Sequence, residues 1–151
     1  MATASIELVR ALRETAQRVS EGAPYQWGHY GHCNCGHLAQ TLTQRSPHDL
    51  QRRATAQEGE WRDQAREHCP TSGAPLGEVI GEMLAAGLLI DDIVALENLD
   101  HPRVLERLPD GRRHLRRNHR EDLVLYLHVW ADLLSEALTP VEEPAPALVS
   151  P

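Results

Sequence analysis

Residues 119–138 read HREDLVLYLHVWADLLSEAL. Leu123, Leu127, Trp130 and Leu134 return every three or four positions, the period of a helix that buries one face. Asn118, followed three residues later by Glu121, matches a capping box at its start. A helix of this length near the end of a 151-residue chain needs other helices to cover its apolar face.

Working toward the N-terminus, the same period recurs. Residues 5–20 carry Ile6, Val9, Leu12, Ala16 and Val19 at helical spacing, with Ser5 as cap and Gly22 and Pro24 as the stop. A second helix is expected from Asn34 to about Gln44, with Leu38 and Leu42 inward. A third follows Ser46-Pro47 and runs to about His68, with Leu50, Ala54, Trp61 and Ala65 on one side. Residues 75–86 form a fourth, ended by Gly87. A fifth, capped by Asp91 or Asp92, extends through Leu99, and His101-Pro102 opens a short sixth. No stretch alternates with period two. The expected fold is therefore all-α: a compact bundle of six to seven short helices, with a Gly/His/Cys-rich loop between the first and second. Residues 1–139 read as a single domain. Residues 140–151, with four prolines in twelve positions, read as a disordered tail.

Composition narrows the function classes. Apolar residues make up 41% and charged residues 25%, as in ordinary globular domains. Phe is absent, so Leu, Val, Ile and Ala must fill most of the core. The longest apolar runs, such as Leu88-Leu89-Ile90, are far short of the roughly 20 residues a bilayer-spanning helix needs. No secretory leader is evident, and the expected location is the cytoplasm, with no membrane partner. A net charge of −7 argues against bulk electrostatic binding of nucleic acid.

The chemistry concentrates in Gly28-His29-Tyr30-Gly31-His32-Cys33-Asn34-Cys35-Gly36-His37, three His and two Cys within ten residues. Thiolate and imidazole are the ligands that suit zinc and other borderline-soft metals. The cluster also sits at a helix start, with Asn34 read as the cap. There the free N–H groups and the helix dipole stabilise a thiolate. If the second and third helices pack antiparallel through residues 45–47, Cys69 joins Cys33 and Cys35 at one end of the hairpin. The expected ligands are Cys33, Cys35, Cys69 and His37, with His32 as the main substitute. Zinc ranks first, and iron or an iron–sulfur cluster second, since Cys69-Pro70 matches the ending of some cluster motifs. A lone buried Cys is usually a small core residue, and that competing reading is strongest for Cys69.

Two other readings stand beside it. Tyr25-Gln26-Trp27-Gly28 followed by Asn34-Cys35-Gly36-His37-Leu38 resembles the nucleophile region of the NlpC/P60 cysteine peptidases, over about fifteen residues. The resemblance implies Cys35 as a reactive thiol, in an enzyme or a redox switch. That family carries its base histidine on a downstream sheet, whereas residues 70–139 read as helices, so membership is not inferred. The second alternative is a nucleic-acid or interaction surface built from Arg112, Arg113, Arg116 and Arg117, which lead with Arg120 into the last helix. Charge runs of this kind are more often solvated or paired faces. The broad leucine face of the last helix also admits a homodimer.

Overall fold

The computed structural model describes residues 1–27, 31–55 and 77–138. Among these there are seven α-helices and no strand, so the fold is all-α as expected. The helices are α1 (Ile6–Ser20), α2 (Asn34–Thr43), α3 (Pro47–Thr55), α4 (Gly77–Ala85), α5 (Ile90–Asn98), α6 (Pro102–Leu105) and α7 (Arg120–Leu138). No helix among the described residues is long and apolar enough to cross a membrane. The outer half of the expected third helix, with Trp61, Ala65, His68 and Cys69, lies outside the described residues, as does the expected tail.

The two longest helices, α1 and α7, form the spine. They run antiparallel: Arg120 at the start of α7 donates to the carbonyls of Val19 and Ala23 at 2.7 and 2.6 Å, at the far end of α1. Further along, Arg13 meets Asp132 at 3.2 Å. Their facing residues, Leu8, Leu12, Leu123, Leu127 and Trp130, are buried. Trp130 packs edge-on against Tyr126 with ring centroids 6.0 Å apart, which supplies volume where Phe is missing. Helix α2 lies antiparallel against α1, since Thr15 meets Thr41 and Arg18 meets His37.

Helix ends follow the sequence in some places and not in others. Ser5 caps α1 by accepting the Leu8 N–H at 3.0 Å, and Ser46 caps α3 by accepting the Asp49 N–H at 3.1 Å. Gly87 has φ +113°, with Gly87 N–H bonded to Leu84 O and Leu88 N–H to Met83 O, a Schellman ending for α4. The same pair of bonds closes α5, but there the left-handed residue is Leu99, at φ +53°. Asp92 does not cap α5 from outside. It stands on the first turn and accepts the Leu89 N–H at 2.8 Å, so Leu89 is the cap residue. Helix α7 likewise begins at Arg120, so Asn118 and Glu121 do not form its box. Asp122 reaches back instead, accepting the Arg116 N–H at 2.8 Å.

Candidate functional site

The start of α2 is the polar centre of the molecule. Cys33, Asn34, Cys35 and His37 are all buried, with relative exposures of 1, 0, 0 and 0%. Burial obliges every donor and acceptor there to find a partner. Asn34 is not the cap. Cys33 is, and its sulfur accepts the Gly36 N–H at 3.3 Å. The Cys35 N–H goes to Glu97 Oε2 of α5 at 3.1 Å, so a carboxylate sits where the α2 dipole favours negative charge.

Freed from capping, Asn34 cross-links three segments. Its amide nitrogen lies 3.2 Å from Leu96 O, 2.9 Å from Glu97 O and 3.1 Å from Arg117 O. Its oxygen lies 2.5 Å from the Tyr25 hydroxyl, whose proton is shared with Arg117 O at 2.6 Å. Burial, with the Glu97 carboxylate and the Cys33 sulfur alongside, drives the Tyr25 pKa well above its ordinary value, so Tyr25 remains a proton donor.

The two sulfurs have different surroundings. Cys35 donates its thiol proton to Ile93 O at 3.1 Å, and burial, with Glu97 and Cys33 alongside, pushes its pKa well up. The expectation of a helix-activated thiolate at Cys35 is therefore reversed: desolvation and a neighbouring carboxylate outweigh the helix dipole. Cys33 accepts the Gly36 N–H on its sulfur, whereas Cys35 gives its proton to a carbonyl.

His37 is also committed. Its Nε2 lies 2.7 Å from Pro24 O; a carbonyl can only accept, so the proton is on Nε2. Nδ1 then accepts from Arg18 Nη1 at 3.0 Å. Burial lowers the His37 pKa to about 4, and the adjacent Arg18 guanidinium adds to the effect. Both ring nitrogens are in use, and a cation at Nδ1 would displace and face a guanidinium. His37 thus ties α1, α2 and the loop after α1 together and is poorly placed as a ligand. His32 is half-buried and stacks on His37, with centroids 6.1 Å apart. The backbone beside it runs close to α3: a Cβ on Gly31 would stand 2.3 Å from Pro47 O.

Among the described residues, no group of three or more His, Cys, Asp or Glu side chains is arranged to hold a metal ion. Cys69 and His29 lie outside those residues. The basic run is largely self-contained. Arg112 and Arg116 flank Asp122 at 3.3 and 3.6 Å. Burial would raise Asp122, but the Arg116 amide and the Arg112 guanidinium outweigh it and hold its pKa below the usual carboxylate range. Arg113 donates to Arg112 O at 2.7 Å. Arg117 lies over the Trp27 ring at 4.4 Å and donates to Asn98 Oδ1 at 3.2 Å.

Sequence reasoning missed Glu97 and Arg18. Glu97 did carry a signal, because it continues the Ile90–Ile93 stripe of α5, where an acid needs a partner. Arg18 falls on the expected outer face of α1, and its contacts with His37 and Thr41 exist only once α2 is in place. Comparison with protein-family models, curated proteins and solved structures found no significant match for this chain.

Proposed function

We propose that the chain binds one transition-metal ion, zinc first, at the start of α2, with the Cys33 thiolate as principal ligand and His32 and Cys69 as its partners. The observation that carries this reading is the Gly36 N–H on the Cys33 sulfur, at the positive end of a helix. That contact places one donor on a sulfur that is only 1% exposed, where burial opposes ionisation. A buried thiolate needs a compensating cation, and a closed site of that kind suits a structural metal rather than an open catalytic one. Cys35 and His37 leave the ligand set, because their donor atoms already serve Ile93, Pro24 and Arg18.

The same bookkeeping favours zinc over an iron–sulfur cluster. With Cys35 held neutral, two thiols remain, whereas clusters want about four cysteine ligands. Elemental analysis and visible spectra of protein purified with and without air test the proposal. About one zinc per chain with no colour is expected, as is loss of that zinc in Cys33→Ser and Cys69→Ser but not in Cys35→Ser. A chelator should lower the melting temperature of the wild type and of Cys35→Ser, but not of Cys33→Ser or Cys69→Ser. Metal-free protein as purified, or zinc unaffected by Cys33→Ser, would refute it.

A further inference from the structure

A groove of about 570 Å³ opens between the last turn of α5, α6 and the segment leading into α7. Its volume is in the range of small-molecule sites. The floor is apolar, formed by Leu99, Leu105 and Leu115, of which Leu99 and Leu115 are 1 and 3% exposed. The rim is polar, with His114, Arg117 and Asn118 lining it.

We propose that this groove binds a small organic anion, a carboxylate or phosphate ester on an apolar body, with Arg117 as the residue that holds its charge. Arg117 is suited to that task. Its guanidinium is held in place by stacking on Trp27 and by its bond to the Asn98 amide oxygen, both neutral partners. Among the described residues no carboxylate pairs with it, whereas Arg112 and Arg116 beside it are both drawn to Asp122. A planar guanidinium fixed on an aromatic face keeps edge N–H groups for a bidentate oxyanion. The side chains of His114 and Asn118, both exposed, have no partner among the described residues. Arg116 also borders the groove and would add to the field, although its charge is shared with Asp122.

One carboxyl group, Asp100, lines the same groove and would oppose an anion. An apolar body would cover Leu105, the half-buried part of the floor, which a bare inorganic ion would leave facing water. The groove meets the centre at α2 through the Arg117 backbone, where Arg117 O accepts from Tyr25 and Asn34, and through Trp27, which lies under Arg117 and donates to Glu97 O. Arg117→Ala keeps every hydrogen bond of that centre, and this proposal stands apart from the metal reading.

Calorimetric titration of the full chain with phenyl phosphate, benzoate, benzyl alcohol and inorganic phosphate tests it. Saturable one-to-one binding of phenyl phosphate or benzoate is expected, with benzyl alcohol and inorganic phosphate at least about tenfold weaker. Loss of a charge-assisted pair should make Arg117→Ala bind about ten- to a hundredfold more weakly, with circular dichroism and metal content unchanged. Asp100→Asn should bind more tightly than wild type. Absence of saturable binding at millimolar probe would overturn the proposal. So would Arg117→Ala binding equal to wild type, or inorganic phosphate binding as well as phenyl phosphate.

Discussion

Replacing Asn34 by Ala removes the side chain that joins α2 to the end of α5 and to the segment before α7. The size of the effect can be worked from its contacts. The amide nitrogen has two protons for three carbonyl oxygens, so it supplies about two full hydrogen bonds, and the oxygen accepts one more from Tyr25. At about 1 kcal/mol net for each, the loss is about 3 kcal/mol. The orphaned acceptors add little. Glu97 O keeps the Trp27 indole N–H, Arg117 O keeps the Tyr25 hydroxyl, and Leu96 O keeps the Leu99 N–H. For a chain of this length that corresponds to a fall in melting temperature of about 6–12 °C. Asn34→Asp should cost more than Asn34→Ala, although it is closer in size, because a buried carboxylate would face three carbonyl oxygens with no proton to offer. Urea and thermal unfolding followed by circular dichroism measure both variants. An Asn34→Ala protein within about 1 kcal/mol of wild type, or an Asn34→Asp protein as stable as Asn34→Ala, would refute the role assigned to this side chain.

Two further outcomes are expected. His37 has a folded pKa of about 4 against 6.5 for the free side chain, so the unfolded chain binds its proton first. Stability should fall as pH drops from 6.5 to 4, by about 3 kcal/mol at about 1.4 kcal/mol per pH unit, and His37→Gln should lack that part of the slope. Urea unfolding at several pH values measures the difference, in which the Asp122 contribution cancels; parallel curves for the two proteins would count against it. The Gly→Ala change should have opposite signs at two positions. Gly31→Ala drives a Cβ to 2.3 Å from Pro47 O and should cost about 1–3 kcal/mol. Gly81→Ala, inside α4 with nothing within 4 Å, should stabilise by about 0.5–1 kcal/mol. Equal shifts in unfolding midpoint would contradict that contrast.

Periodicity placed the helices among the described residues, because a 3.6-residue apolar repeat has one solution that buries its face, and Ser5, Ser46 and Gly87 mark local ends that need no distant partner. The Cys/His window was also visible as a concentration of chemistry. Roles within it were not, because they depend on residues far away in the chain. Glu97 and Ile93 decide that Cys35 stays protonated, and Arg18 and Pro24 decide that His37 has no free nitrogen. Asn34 yields the cap to Cys33 because α5 and the Arg117 backbone bring it carbonyls that only the assembled bundle supplies. Local pattern thus determined which segments are helical and which face is inward. Desolvation and the pairing of buried polar groups, which arise only on packing, decided which of the reactive side chains remain available for chemistry.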